Sequence, residues 1–372
     1  MESMSARLDD VAKQSGFSIA TVSRVVNGVD GVRSEVRTAV EQAVRELGYV
    51  GRRTRITPVP DPLPAATKTC VVEVLLHRRS AQEQLATQPQ GLVVGPLSQV
   101  ASNDFLSRSW ELSNDFYRSI LDGILDELPK HGGKALVRVV KDLNDPTLIS
   151  SLGDHLAGVL IVGEGGPDVS EFLDACRVPV TLVDIIYPAG GHEVVTTDNL
   201  TGIGQAVEHL ASLGHRRLGY ISGSPNAATD ERATAFTYHC SRLGLEIAAG
   251  WQAVEYDSIA STTDRIASLL TKSKRPTAIA CCNDWGALST YHAAARCELS
   301  VPQDLSVVGF DDGLVAATVT PPLTTIRVAT NGIGRMAVRL VLTQKTTDRG
   351  SITRLPTQLI VRHSTQRVSV SA

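Results

Sequence analysis

The stretch SGFSIATVSRVVNG, residues 15–28, puts small polar and cationic side chains on one side of a short helix. Val22, Val25 and Val26 form an apolar stripe, and at the helical period Ala20, Ser23, Arg24 and Asn27 point away from it. That outward set has the chemistry of a DNA groove contact. Arg24 can reach guanine O6 and N7 or a phosphate, Ile19 and Ala20 can meet thymine methyls, and small Ala20, Thr21 and Ser23 let the backbone approach. Ser18, Thr21, Ser23 and Asn27 can donate to phosphate oxygens. The competing reading is a small helical bundle whose outer face is merely solvated.

The elements that must hold this face are legible around it. Leu8, Val11 and Ala12 recur at helical spacing and the helix they imply meets Gly16. Ser18 stands where an N-cap belongs, its hydroxyl free to take an orphan N–H. Gly28 stops the second helix. A third carries Val36, Val40, Ala43, Val44 and Leu47 on one face and ends at Gly48. Three short helices with a tight turn between the first two make a helix-turn-helix. Residues 1–55 hold nine Lys/Arg against seven Asp/Glu, a net of +2, which leaves −5 on the rest of a 372-residue chain whose total is −3. The sign fits a small nucleic-acid module on an acidic body.

The order of residues goes further than periodicity. LDDVAKQSGFSIATVSRVVNG, followed by VRELGY, resembles the headpiece of the lactose/galactose repressor family at nearly every position. The resemblance implies major-groove reading by Ile19, Ala20 and Arg24, with Ser18, Thr21, Ser23 and Asn27 on the backbone. The family continues with a short hinge helix whose leucine wedges into the minor groove. Here the text is GYVGRRTRITPVPDPLPAATKTC, with Arg55 at the family's alanine and Pro58 at its leucine. Proline fixes φ and removes a donor, so an extended spacer is expected through Pro58–Pro64. Arg52, Arg53 and Arg55 either hold phosphates, enter a narrow minor groove electrostatically, or lie along a plain solvated tether.

Beyond residue 68, short apolar runs alternate with helical patterns. CVVEVLL, KALVRVV, LAGVLIVG, VPVTLVD, RRLGYISG, PTAIACC and LSVVGFDD read as buried strands. DFYRSILDGILDEL, TGIGQAVEHLASLG and WGALSTYHAAARCEL read as helices. This alternation argues for parallel sheets with helices on both faces, binding ligands at the carboxyl ends of the strands. Residues 78–111 are longer than a compact domain spends on a loop. The apolar piece GLVVGPL within them reads as an added strand, a lid over the cleft, or the true first strand with VVEVLL outside the standard fold.

From about Leu112 to Thr365 the chain again resembles the family, through LSNDFY, TTDNLTGIGQAVEHLASLGHRRLGYISG, PTAIACCNDWGAL, VPQDLSVVGFDD, PPLTTIRV and LIVRHST. The resemblance implies a periplasmic-binding-protein-like core of two doubly wound α/β lobes, with a small molecule between them and a dimer face along them. By position it assigns effector contacts to Phe116 and Tyr117 as a stacking pair, to Arg232 as a planar donor fork, to Asp284 with Asn283 beside it, and to Asp184. The bland alternatives are core packing for Phe116, a surface ion pair for Arg232 and a helix N-cap for Asp284. Asp311 and Asp312 mark the family and are expected to cap and turn the chain.

The expected organisation is an α/β protein with a three-helix headpiece over 1–51, an Arg/Pro-rich linker over 52–67 and a core over 68–372. Its lobes take about 68–193 plus 320–346, and 194–319 plus 347–365. The opening MESMSARLDD lacks an apolar stretch, and no apolar run nears the ~18 residues of a membrane span. Six scattered cysteines fit a reducing compartment, and Cys281 and Cys282 are expected to be buried. A cytoplasmic protein with no membrane partner is expected. Metal-protease, serine-hydrolase and nucleotide-loop motifs are absent from the sequence, so no enzyme and no cofactor is expected. The eight residues after Ser364 are too few for a tetramerising coiled coil, so a homodimer is expected. Double-stranded operator DNA and a sugar, sugar phosphate or nucleobase-like effector are the expected partners of a transcriptional repressor. The alternatives are an activator, or an effector-binding protein with an impaired headpiece.

Overall fold

A computed structural model describes residues 8–26, 34–47, 70–77, 92–94, 115–163, 165–166, 168–186, 191–223, 226–251, 259–344 and 350–368. Asn27, Arg52, Arg53, Arg55 and the prolines of the expected linker lie outside them. The chain divides into two compact units, Met1–Pro64 and Ala65–Ala372.

In the first unit the three helices are α1 (Leu8–Ser15), α2 (Ile19–Val26) and α3 (Ser34–Leu47). Their apolar faces meet in a small core of Val11, Ala12, Val22, Val25, Val40 and Ala43. Gly16 turns the chain between α1 and α2 at φ +75°, a conformation in which a Cβ is strained. Ser18 Oγ accepts from the Thr21 amide at 3.3 Å and so caps α2.

The second unit is built on two sheets. β1 (Cys70–His77), β2 (Leu92–Val94), β3 (Gly133–Val140), β4 (Leu156–Gly163), β5 (Val180–Val183), β6 (Glu193–Thr197) and β12 (Ile352–Leu355) form the first, in the order β12-β6-β5-β4-β1-β3-β2. β7 (Arg217–Ile221), β8 (Glu246–Ile247), β9 (Ala278–Cys281), β10 (Ser306–Asp311), β11 (Thr324–Arg327) and β13 (Gln358–Ile360) form the second, in the order β13-β11-β10-β9-β7-β8. β1 lies between β3 and β4, parallel to both, with Val74 opposite Val137 and Leu160. Such strands are covered on both faces, which is why they read as unbroken apolar runs. GLVVGPL supplies an added strand: Leu92–Val94 pairs antiparallel with the outer edge of β3. VVEVLL lies inside the sheet, not outside the fold.

The strand pairings differ from the expected lobe limits. Val194–Thr197 belong to the first sheet, because β6 runs parallel beside β5. Thr324–Arg327 belong to the second, beside β10. Ile352–Leu355 return to the first sheet beside β6, and only Gln358–Ile360 join the second. The chain therefore crosses between sheets at 198, 328–329 and 356–357. Between the last two crossings the helix Thr330–Thr343 packs back on the first lobe, against the helix Asp115–Glu127. Those two helices approach backbone to backbone: a Cβ on Gly123 would overlap the Asn331 carbonyl, and one on Gly334 would overlap the Ile120 carbonyl.

Candidate functional site

Two faces concentrate the side chains singled out by sequence. On the headpiece, Ile19 is 49 % exposed, and Ala20 and Arg24 are exposed beside it. Ser18 is also exposed, and its hydroxyl lies 3.0 Å from that of Thr21. Thr21 and Ser23 are half-buried at the rim of the same face. The valine stripe is turned inward, so the outward chemistry of α2 is presented as its periodicity requires. Asn27 lies outside the described residues.

In the core the second face lies at the carboxyl ends of the strands. Asp184 follows β5, and Asn283 and Asp284 follow β9. Asp311 ends β10, and Arg232 stands on the helix Ala227–Arg242 that follows β7. Asn226 opens that helix with a capping box, its side chain accepting from the Thr229 amide at 3.0 Å, which fixes where the arginine emerges.

Arg232 is buried and held on three sides. Nε donates to Asn199 Oδ1 at 2.8 Å, Nη1 donates to the Cys282 carbonyl at 2.6 Å, and the guanidinium lies 3.9 Å over the centre of the Phe310 ring. A cation over an aromatic face in a closed site is favourable and orients the fork. Asp311 Oδ1 sits 3.6 Å from Nη1, too far for a hydrogen bond, and accepts none elsewhere. Burial pushes the Asp311 carboxyl well up, against the pull of Arg232, and the charges of Asp284 and Asp184 add to the rise. Its backbone is at φ +106°, an uncommon conformation that recurs where local structure is bent to a task.

Asp284 is 3 % exposed. Thr325 Oγ1 donates to its Oδ1 at 2.6 Å and the Gly313 amide to its Oδ2 at 2.8 Å. Burial outweighs these bonds and raises the carboxyl to about 7, with Asp312 adding to the rise and Arg362 opposing it. The helix cap is Asn283, not Asp284: Asn283 Oδ1 accepts from the Gly286 amide at 2.8 Å. The Asn283 side-chain oxygen thus serves the helix, and its amide nitrogen can donate to a ligand. Across on the first sheet, Asp184 takes φ +60° and accepts from Thr196 Oγ1 at 3.3 Å.

Among the aromatic candidates, Tyr117 is buried in the main core and Phe116 is partly buried against it, the rings meeting edge to face at 5.3 Å. Phe116 is the more accessible of the two.

The structure separates the two acids of GFDD. Asp312 does the structural work expected of both. Its Oδ2 accepts from Arg327 Nε at 2.7 Å and its Oδ1 from Arg362 Nη2 at 2.5 Å, which ties the end of β10 to β11 and to the C-terminal segment. Asp311 instead faces Arg232. Sequence reasoning missed it, and missed Asn199 and Phe310 as well. The available signal was their position at strand and helix ends, which Asp311 shares with Asp184 and Asn199 with Asp284. Cys281 and Cys282 are buried as expected. Burial raises both thiols, that of Cys282 to about 12, so neither is a nucleophile.

Comparison with known proteins gives this geometry a context. Residues 7–51 match the model of bacterial regulatory proteins of the lacI family, and residues 207–365 match that of a periplasmic binding protein-like domain. The chain is 28 % identical to the HTH-type transcriptional repressor CytR of Escherichia coli K12, over 97 % of this chain and 96 % of that protein. It is 27 % identical to catabolite control protein A of Priestia megaterium, over 98 % of this chain and 100 % of the other. Among solved structures, a transcriptional regulator CelR–cellobiose complex is 26 % identical with a TM-score of 0.63, covering 96 % of this chain and 99 % of that one. A Lac repressor dimer bound to operator and an anti-inducer shares the fold at 23 % identity, with a TM-score of 0.63 over 97 % of this chain and 99 % of that one. The chain thus carries a lacI-family headpiece and a periplasmic binding protein-like domain, and it is similar along nearly its whole length to transcriptional regulators.

Proposed function

We propose that the chain is a sequence-specific DNA-binding repressor whose operator affinity is set by a small molecule held between the two lobes. The observation that carries the reading is the arrangement around Arg232. A buried guanidinium and an Asp311 oxygen that accepts no hydrogen bond lie at the strand ends of one lobe, and Asp184 lies at the strand end of the other. Arg232 would grip the effector with the edge not given to Asn199 and Cys282, Asp311 and Asp184 would accept hydroxyl or amino donors, and Phe116 would meet an apolar face. Asp284 and Asn283 would support the floor. Two acids, Asp311 and Asp184, beside one arginine favour a ligand rich in hydroxyl or amino groups, such as a sugar or nucleoside, over a phosphorylated one. The name of a relative, the ribose operon repressor of Haemophilus influenzae, and the cellobiose of the CelR complex belong to the same chemical class.

In this reading the protein is a cytoplasmic homodimer and catalyses nothing. Two headpieces address the half-sites of a near-palindrome, as two-fold symmetry requires. Ile19, Ala20 and Arg24 read bases, while Ser18, Thr21, Ser23 and Asn27 hold phosphates, with Arg52 and Arg53 as further phosphate contacts. Among the described residues no helix is long and apolar enough to cross a membrane. The test is a gel shift of the purified protein on its own upstream region, with Arg24→Ala alongside. Wild type is expected to bind a palindrome within that region, and loss of one bidentate base contact to weaken binding by roughly 1–3 kcal/mol. Equal binding by both proteins would remove α2 from the interface.

A further inference from the structure

Behind Arg232 runs a chain of polar groups that joins the lobes. Arg354 lies on β12, at the edge of the first sheet. Its Nη1 and Nη2 donate to Glu231 Oε2 and Oε1 at 2.8 and 2.6 Å, a bidentate pair. Glu231 stands on the helix Ala227–Arg242, which follows β7 of the second sheet. The pair therefore spans from one lobe to the other. Glu231 Oε2 also accepts from Asn199 Nδ2 at 3.1 Å, and the other end of that amide, Oδ1, accepts from Arg232 Nε at 2.8 Å.

The order of donors in this chain is forced. A primary amide has one acceptor and one donor end. Arg232 can only donate, so Asn199 must turn its oxygen toward it and its nitrogen away. A carboxylate on the far side is the partner that rewards that orientation, and Glu231 supplies it. Asn199 is fully buried, so an amide turned the wrong way would leave both of its ends unmatched without water to compensate. Arg354 in turn neutralises Glu231 and fixes the plane of its carboxylate.

We propose that Glu231 and Arg354 are positioning residues for Arg232: their ion pair across the lobes orients the Asn199 amide, and Asn199 holds the guanidinium in the plane that meets the effector. The proposal rests on the reading of Arg232 as an effector contact. It ties the grip to lobe closure, because separation of the lobes draws Arg354 from Glu231 and frees the amide to turn. An effector that needs an ordered Arg232 then favours the closed arrangement through that difference alone.

The test uses the full chain and needs no effector. Phenylglyoxal labelling, read by peptide mass spectrometry, gives the reactivity of Arg232 relative to exposed Arg296. Arg354→Met and Glu231→Ala are each expected to raise it by about fivefold, the population change that follows loss of one partly buried charged pair. Both positions are partly exposed, and either variant alone suffices. A swapped protein, Glu231→Arg with Arg354→Glu, separates positioning from simple bridging. It regains an ion pair but offers Asn199 no acceptor at 231, so Arg232 labelling is expected to stay fast. Unchanged labelling in the single variants, or slow labelling in the swap, overturns the proposal. Failure of the effector reading looks different. In a separate thermal-shift measurement with D-ribose, Arg232→Lys would then respond as wild type does, while the labelling result stands.

Discussion

Asp284→Asn is the substitution whose consequence follows most directly from the geometry. The carboxyl is raised from an ordinary 3.8 to about 7 because it is buried, and its two hydrogen bonds only partly offset that burial. A raised acid is held more tightly as the protonated form in the folded chain than in the unfolded one. Folding therefore takes up a proton between pH 4 and 7, and stability falls as pH rises through that window. At 1.36 kcal/mol per pKa unit the ionised group costs roughly 4 kcal/mol above pH 7, less whatever neighbouring Asp311 takes up when the two share protons. Asparagine removes the titration and keeps the shape. Its oxygen can accept from Gly313 and its nitrogen can face the Thr325 hydroxyl, which rotates to accept. The assay is the urea midpoint of the core transition for wild type and variant, measured at intervals from pH 4.5 to 8.5. Wild type is expected to lose stability steadily toward pH 7, and the variant to show a flatter profile and a higher midpoint at pH 8. Parallel profiles over the whole range would refute the argument.

Glu127 shows the opposite sign. Burial alone would raise it, but hydrogen bonds and charge from Lys130 and Arg339 outweigh burial and hold the carboxyl at about 2. Its stabilisation is present above pH 4.5 and is lost as pH falls toward 2. Glu127→Gln is thus expected to cost up to roughly 3 kcal/mol at pH 7 and much less at pH 3, read as the difference in thermal midpoint from wild type at each pH. Gly123→Ala would drive a Cβ into the Asn331 carbonyl where two helices of the first lobe cross. Backbone cannot move aside as a side chain does, so a loss of about 1–3 kcal/mol is expected in the same thermal assay, and an unchanged midpoint would show that the crossing can open.

How much of this was legible in the sequence depends on whether the controlling contact was local. The headpiece was readable because every cue lies within a turn or two. Val22 and Val25 face the core, Ser18 caps, and Gly16 turns. The central strands were readable because burial on both faces leaves continuous apolar runs. β6, β11, β12 and β13 were missed as strands. EVVTT, TTIR, ITRL and QLI are short and mix polar with apolar residues, and what makes them strands is a neighbour far along the chain. The lobe limits failed for the same reason: 194–197, 324–327 and 352–355 each lie on the side opposite to expectation, and only pairing decides the side. Within the candidate site, the family resemblance pointed to Arg232 and Asp284, but could not tell a cap from a buried acid. Adjacent Asn283 takes the cap, and that frees Asp284 to bond Thr325, 41 residues away.

The same logic explains why the site stands where the chain changes lobe. Asp198 caps the helix Asn199–Ser212 by accepting from the Thr201 amide at 3.1 Å, and its own amide donates to the Leu355 carbonyl at 2.9 Å, so the first and third crossings are bonded to each other. Asn199 and Arg354 sit one residue from those two atoms and lead to Arg232 through Glu231. Near the second crossing, Asp312 is fixed by Arg327 and Arg362, while the preceding Asp311 turns to Arg232. A hinge concentrates rotation at few residues. Groups bonded across it change their relative orientation when the lobes move, and groups within one lobe keep theirs. Arg232 is anchored to its own lobe through Cys282 and Phe310 and coupled to the hinge through Asn199. Its position is therefore set within one lobe while its orientation is tied to the contact between lobes, as the proposed coupling of grip to closure requires.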